Sequence, residues 1–174
     1  MGQMFELKCA SCDYGIAYTK GVGMMDSPDA VFYGCCEDSN PTQRWSVAFP
    51  YGFCEDGKPR LRSFVKSKRV RDKAFDLLNN GAVPDEEYGY ELFVCPKCNR
   101  LKSNFFFRLH SSDGDFEPDY RCVNCRTTLQ RVELNTDDDD RCDTLHITTN
   151  QGTWKCPECG CEELKCGSRF IMWD

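Results

Sequence analysis

The chain has 174 residues, of which 40% are hydrophobic and fourteen are cysteine, and its formal charge is −6 at pH 7. That length bounds it to one or two small domains, and the aliphatic content is too thin for one deep core, so metal-centred local cores are expected to carry part of the stability. No apolar run approaches the ~18 residues that a membrane-spanning helix requires, and the acidic balance weighs against a surface devoted to nucleic acid.

Residues 1–57 are expected to form an N-terminal β-rich segment. It holds a Cys-x-x-Cys pair (Cys9/Cys12), the turn Gly21-Val22-Gly23, and the further thiols Cys35, Cys36 and Cys54. Val31-Phe32-Tyr33 and Trp45-Ser46-Val47-Ala48-Phe49 are aromatic and β-branched, which predicts short strands.

Residues 58–87 differ in kind and read as a basic helix with a linker. Between Lys58 and Lys73, eight cations face one acid, Asp72, for a local charge of +7, so the other 158 residues carry −13. Val70, Ala74, Leu77 and Leu78 repeat with a helical period, and Asn80-Gly81 supplies the stop. Lys66, Arg69 and Lys73 are expected on one side of that helix. Together with Lys68 and Arg71 they form a candidate contact surface for nucleic acid or a protein partner. The bland alternative is a solvated helix balanced by Asp85, Glu86 and Glu87.

Residues 88–135 carry two more pairs, Cys95/Cys98 and Cys122/Cys125. Tyr90 to Val94 leads into the first, Asn104 to Leu109 reads as a strand, Ser111 to Asp115 as a turn, and Thr127 to Leu134 as another strand. Residues 136–174 open on the acidic run Asp137 to Asp140, read as a solvated loop, and hold the fourth pair, Cys156/Cys159. This C-terminal segment is expected to pack on the N-terminal one.

Four Cys-x-x-Cys pairs supply the eight sulfurs that two tetrahedral all-thiolate sites need, so two zinc ions are expected. A secreted disulfide framework is the competing explanation for so many cysteines. Residues 1–20 lack a basic stretch followed by an apolar one, and Glu6 stands where a myristoylation motif needs Ser or Thr. The chain is therefore expected to be cytoplasmic, without a membrane partner and with reduced thiols. Cys95, Cys98, Cys122 and Cys125 form one expected metal site, and Cys9, Cys12, Cys156 and Cys159 a second that fastens the two ends. Two other pairings of the knuckles fit the spacing, and Cys35, Cys36, Cys142, Cys161, Cys166 or His146 are substitute ligands in a local site.

The arrangement knuckle, hairpin, knuckle, strand over residues 90–135 resembles the zinc ribbon, which implies a three-stranded sheet clamped by a four-cysteine zinc. Lys8 to Tyr14 with Gly21 to Met24, and the tail from Cys156 to Gly160 and Phe170 to Asp174, are similar to small bacterial zinc-ribbon proteins. That resemblance implies a bacterial fold family more than a reaction. The turn Ser111 to Asp115 is similar to the acidic hairpin tip of ribbons in transcription elongation factors, but Asp113 and Asp115 are separated by Gly114 where those hold adjacent acids.

Enzymatic signals are few. Cys95-Pro96-Lys97-Cys98 and Cys156-Pro157-Glu158-Cys159 match the Cys-Pro-x-Cys form of thiol redox sites, yet no periodic helix follows either. The two histidines, His110 and His146, do not form a His-Glu-x-x-His motif, and neither knuckle has the preceding proline of a zinc deaminase. The expected protein is small, β-rich and metal-stabilised, with two zinc-ribbon-like units and one intervening α-helix, acting as a binding or adaptor module. The alternatives are a transcription-linked nucleic-acid binder and a zinc- or thiol-dependent enzyme.

Overall fold

The structure, a computed structural model, describes residues 2–23, 26–34, 59–132, 145–167 and 171–173. Trp45 to Phe49, Asp137 to Asp140, Cys35, Cys36, Cys54 and Cys142 lie outside them. Among the described residues strand outweighs helix, 42% against 17%, and no helix is long and apolar enough to cross a membrane.

Two antiparallel sheets organise the chain. In the first, β1 (Gly2–Cys9) pairs with β2 (Gly15–Lys20), β9 (Leu164–Cys166) and β10 (Ile171–Trp173), so the C-terminal segment is stitched to the N-terminal one along a single strand. In the second, the long hairpin β3 (Val83–Val94) and β4 (Leu101–Ser111) is flanked by β5 (Gly114–Phe116) and β6 (Gln130–Val132) in the order β5-β4-β3-β6. A small hairpin, β7 (Thr148–Thr149) with β8 (Gly152–Thr153), precedes the last knuckle. Val83 to Glu87, read from the sequence as linker, open strand β3.

The register pairs Tyr88 with Phe107, Tyr90 with Phe105, Leu92 with Ser103 and Val94 with Leu101. Alternation along a strand places these on one face, and that face serves two cores. At its aromatic end, Phe32 sits edge-on to Tyr88 and Phe107, and Phe64 stacks on Phe105 at 4.7 Å. At its aliphatic end, Leu92, Val94, Leu101 and Val132 pack with Leu7, Tyr18, Ile147, Trp154 and Leu164 from the first sheet and its neighbours. The sheets also touch through backbone: Gly21 and Tyr90 exchange hydrogen bonds of 3.0 Å in both directions.

The basic segment is not one helix but two. Helix α1 (Leu61–Phe64) ends before Val65, and α2 (Lys68–Asn79) begins after Ser67, whose hydroxyl accepts from Val70 N–H as an N-cap. Val70 and Ala74 are buried and Leu77 and Leu78 partly so, in keeping with their helical period. Lys66 therefore precedes α2 rather than sharing its face with Arg69 and Lys73. Val31-Phe32-Tyr33, expected as strand, lies in a wide helical turn over Asp29–Tyr33 opened by Ser27-Pro28. Ser27 bonds Ala30 N–H through its hydroxyl and Val31 N–H through its carbonyl. Burial of Phe32 between two aromatic side chains overrides its strand propensity.

Candidate metal centres

Eight cysteine sulfurs gather into two groups of four, Cys95/Cys98/Cys122/Cys125 and Cys9/Cys12/Cys156/Cys159, with all sulfurs of a group within 4.8 Å of one another. In the first group Cys95 is 3.2 Å from Cys125, and Cys98 is 3.6 Å from Cys122 and 3.7 Å from Cys125. In the second, Cys9 is 3.5 Å from Cys159 and Cys12 is 3.6 Å from Cys156. A disulfide would require about 2.05 Å. Four thiolates around a tetrahedral ion at about 2.3 Å lie about 3.8 Å apart, so each group is able to hold one metal ion. Cys161, Cys166 and His146 stand outside both groups.

Local backbone chemistry explains why the sequence folds this way. In every pair the N–H of the first cysteine bonds the carbonyl five residues on: Cys9 to Tyr14, Cys95 to Arg100, Cys122 to Thr127 and Cys156 to Cys161, at 2.8 to 3.0 Å. In three of them the first cysteine's carbonyl also accepts from the residue four ahead, Asn99, Arg126 or Gly160. That residue is left-handed in each case, with φ of 54°, 60° and 76°. The turn aims both sulfurs to one side while backbone N–H groups point back at them.

These N–H groups shape the ionisation. Burial opposes ionisation at Cys122, but the N–H groups of Cys125 and Asn124 and the neighbouring Cys125 and Cys98 thiols bring it down to about 6. At Cys95 burial dominates and, with the Cys125 thiol, pushes it up to about 12 despite the N–H groups of Cys98 and Lys97. One thiol of the set ionises readily and another resists, as expected where neighbouring thiols share one point and the first negative charge opposes the next.

The two groups sit in different surroundings. The first is positioned by the hairpin ends of β3 and β4, with Cys95 and Cys122 buried and Cys98 and Cys125 partly so. Lys97, Arg100, Arg121 and Arg126 lie in or beside its knuckles, and Val123 at its tip is 72% exposed. The second follows β1 and precedes β9, and its Cys159 is exposed. Sequence reasoning missed Tyr14 and Trp154, which lie between the groups: Trp154 Nε1–H donates to Asn99 O at 2.7 Å, and Leu101 N–H donates to the Tyr14 hydroxyl at 2.9 Å. No signal in the spacing marks either residue, because each partner is fixed by the packing of the two sheets.

The basic segment is largely engaged within the chain. Arg60 pairs with Asp26, Lys68 with Asp72 at 2.6 Å, and Arg69 with Asp119 at 2.6 Å, while Arg71 donates to the carbonyls of Arg62 and Val65. Lys66 and Lys73 are exposed and have no ion-pair partner among the described residues. The acids expected to balance this segment serve elsewhere: Asp85 faces Arg108 and His110, and Glu87 faces Arg131.

Comparison with protein-family models, with curated proteins and with solved structures finds no match for this chain. The fold and its sulfur geometry define a small β-rich protein with two candidate metal centres.

Proposed function

We propose that the protein is a binding or adaptor module whose fold is held by two structural zinc ions, with a zinc ribbon around Cys95, Cys98, Cys122 and Cys125. The observation that carries this reading is the pair of four-sulfur groups at tetrahedral spacing. Zinc suits four thiolates, and a four-cysteine ion has no open position for a substrate, the arrangement of structural rather than catalytic sites. Strands β3, β4 and β6 with knuckles at one end supply the ribbon form. Elemental analysis of the purified chain should give two zinc per chain. It should fall to one in the Cys122→Ser/Cys125→Ser chain and to one in the Cys9→Ser/Cys159→Ser chain. Absence of stoichiometric zinc, or full retention in both variants, overturns the reading.

A second observation favours a phosphate-bearing partner for the module. Lys66, Lys73 and Arg121 are exposed, and the Arg69–Asp119 ion pair fastens α2 to the segment that leads into Arg121 and the Cys122 knuckle. Clustered cations of this kind release counterions from a nucleic-acid backbone. Short DNA and RNA should bind at low salt, and Lys66→Glu, Lys73→Glu and Arg121→Glu together should weaken binding more than tenfold. No binding at low salt, or no response to the three substitutions, removes nucleic acid as the partner.

A further inference from the structure

We infer that the two four-cysteine groups load metal cooperatively, with Tyr14 and Trp154 as the positioning residues that join them; this rests on the metal-binding reading above. Each side chain belongs to the terminal group's framework and bonds the backbone of the ribbon group. The Tyr14 carbonyl closes the Cys9 knuckle by accepting its N–H at 2.8 Å, while the Tyr14 hydroxyl accepts from Leu101 N–H at 2.9 Å. Leu101 directly follows Arg100, whose carbonyl closes the Cys95 knuckle at 3.0 Å.

Trp154 is the mirror of this arrangement. It stands two residues before Cys156 and is anchored by its own N–H on Ile147 O at 2.9 Å. Its indole N–H donates to the carbonyl of Asn99, the left-handed residue whose N–H bonds Cys95 O. Tyr14 is 6% exposed and Trp154 1%, and their rings lie 6.2 Å apart.

Forming either group fixes the bonding partners of the other. With the terminal group open, Tyr14 and Trp154 lose their restraint, Leu101 N–H is left a buried donor without its acceptor, and the half-buried Asn99 C=O loses its indole donor. Both flank the turn that aims Cys98. Coupling between binding sites is reciprocal, so ribbon loading favours terminal loading to the same degree. The order follows from chain length. Facing ribbon ligands are 24 and 30 residues apart and facing terminal ligands 144 and 150. The longer closure costs more chain entropy, so the ribbon loads first and templates the terminal site.

The test is a zinc-affinity cycle on the full chain, using competition with a chromophoric chelator. Terminal-site affinity is measured with the ribbon ligands intact and with Cys122→Ser/Cys125→Ser, each in the native background and in Tyr14→Phe and Trp154→Phe backgrounds. Loss of the ribbon site should weaken the terminal site at least tenfold in the native background and less than threefold when the positioning side chains are replaced. Two zinc per chain with terminal affinity indifferent to the ribbon site, or with equal coupling in all backgrounds, overturns the inference while leaving the metal reading intact. A chain that takes up no zinc overturns both. A second measurement needs no substitution of either joining residue: in Cys159→Ser, hydrogen exchange at the Trp154 indole and the Leu101 amide should speed up at least tenfold, and unchanged exchange counts against the coupling.

Discussion

Cys9 Sγ and Cys159 Sγ lie 3.5 Å apart although 150 residues separate them along the chain. The contact is backed by strand pairing, since β1 takes both β9 and β10 as neighbours. The helices and the entire second sheet therefore lie inside a loop whose two ends meet at one four-sulfur group. On the zinc reading, an ion there acts as a clasp, whereas an ion held by Cys95, Cys98, Cys122 and Cys125 acts on a loop several times shorter.

That contrast predicts two-phase metal loss. Cys159 is exposed, and the Cys9 knuckle lacks the bond from the residue four ahead that the other three possess. Under excess chelator, one zinc equivalent should leave from the terminal group before the other. Amides of β9 and β10 should then exchange while those paired between β3 and β4 stay protected. A chromogenic zinc indicator with parallel hydrogen exchange reads both. A single phase, or early loss of β3–β4 protection, is the result that would count against it.

At Gly89 the second sheet closely approaches Gly21, directly after β2. The φ of Gly89 is +150°, and a Cβ there would stand 3.0 Å from the Gly21 Cα and carbonyl carbon. Gly89→Ala combines backbone strain with overpacking and should cost roughly 2 to 4 kcal/mol in denaturant unfolding. Gly81→Ala, at φ +88° with nothing within 4 Å of the added atom, carries strain alone and should cost about 1 kcal/mol. Equal losses at the two positions would show that the Gly89–Gly21 approach is not what matters.

What was legible in the sequence divides along the same line between local and long-range causes. The knuckles announce themselves because a Cys-x-x-Cys turn needs only its own backbone. The face of α2 was readable from Val70, Ala74, Leu77 and Leu78 because its period is intrinsic to a helix. The break at Val65–Ser67 had a signal that went unused, a serine placed as N-cap, and so did the Ser27-Pro28 opening before Phe32. Spacing could not choose among three pairings of the knuckles, since the choice is made by β1 accepting β9 and β10. The partners of Arg69, Asp85 and Glu87 were equally out of reach, because they sit on strands and loops that only the folded sheet brings near.

His110 supplies a pH-dependent contact at the far end of the β3–β4 hairpin. Its Nδ1 is 2.8 Å from Asp115 and its Nε2 3.3 Å from Asp85, with Arg108 also on Asp85 and on Glu117. The hydrogen bond to Asp115, followed by the charges of Asp115 and Asp85, raises the imidazole above its usual value. A group whose folded pKa is raised stabilises fully below its unfolded value of about 6.5 and loses that contribution as pH climbs through the folded value. The His110 ring-proton NMR titration should therefore show a midpoint above the ordinary one, and Asp115→Asn should move it down. A midpoint indifferent to Asp115→Asn would exclude that hydrogen bond as the cause.

Arg126 occupies a left-handed position, φ 60°, directly after Cys125, where the equivalent residue of the last knuckle is Gly160 at φ 76°. A side chain costs about 1 to 2 kcal/mol in that conformation, and glycine returns about half of this through the entropy of the unfolded chain. Arg126→Gly should thus be more stable than Arg126→Ala by about 1 kcal/mol, and Gly160→Ala should lose a similar amount, both read by denaturant midpoint of the metal-loaded protein. Comparing Arg126→Ala with the native chain isolates the charge from the strain. If the alanine chain keeps its stability but binds short nucleic acids more weakly, the strained arginine is held there for contact with phosphate. If binding is unchanged, the cation has no part in such an interface and the cationic surface ends at Arg121.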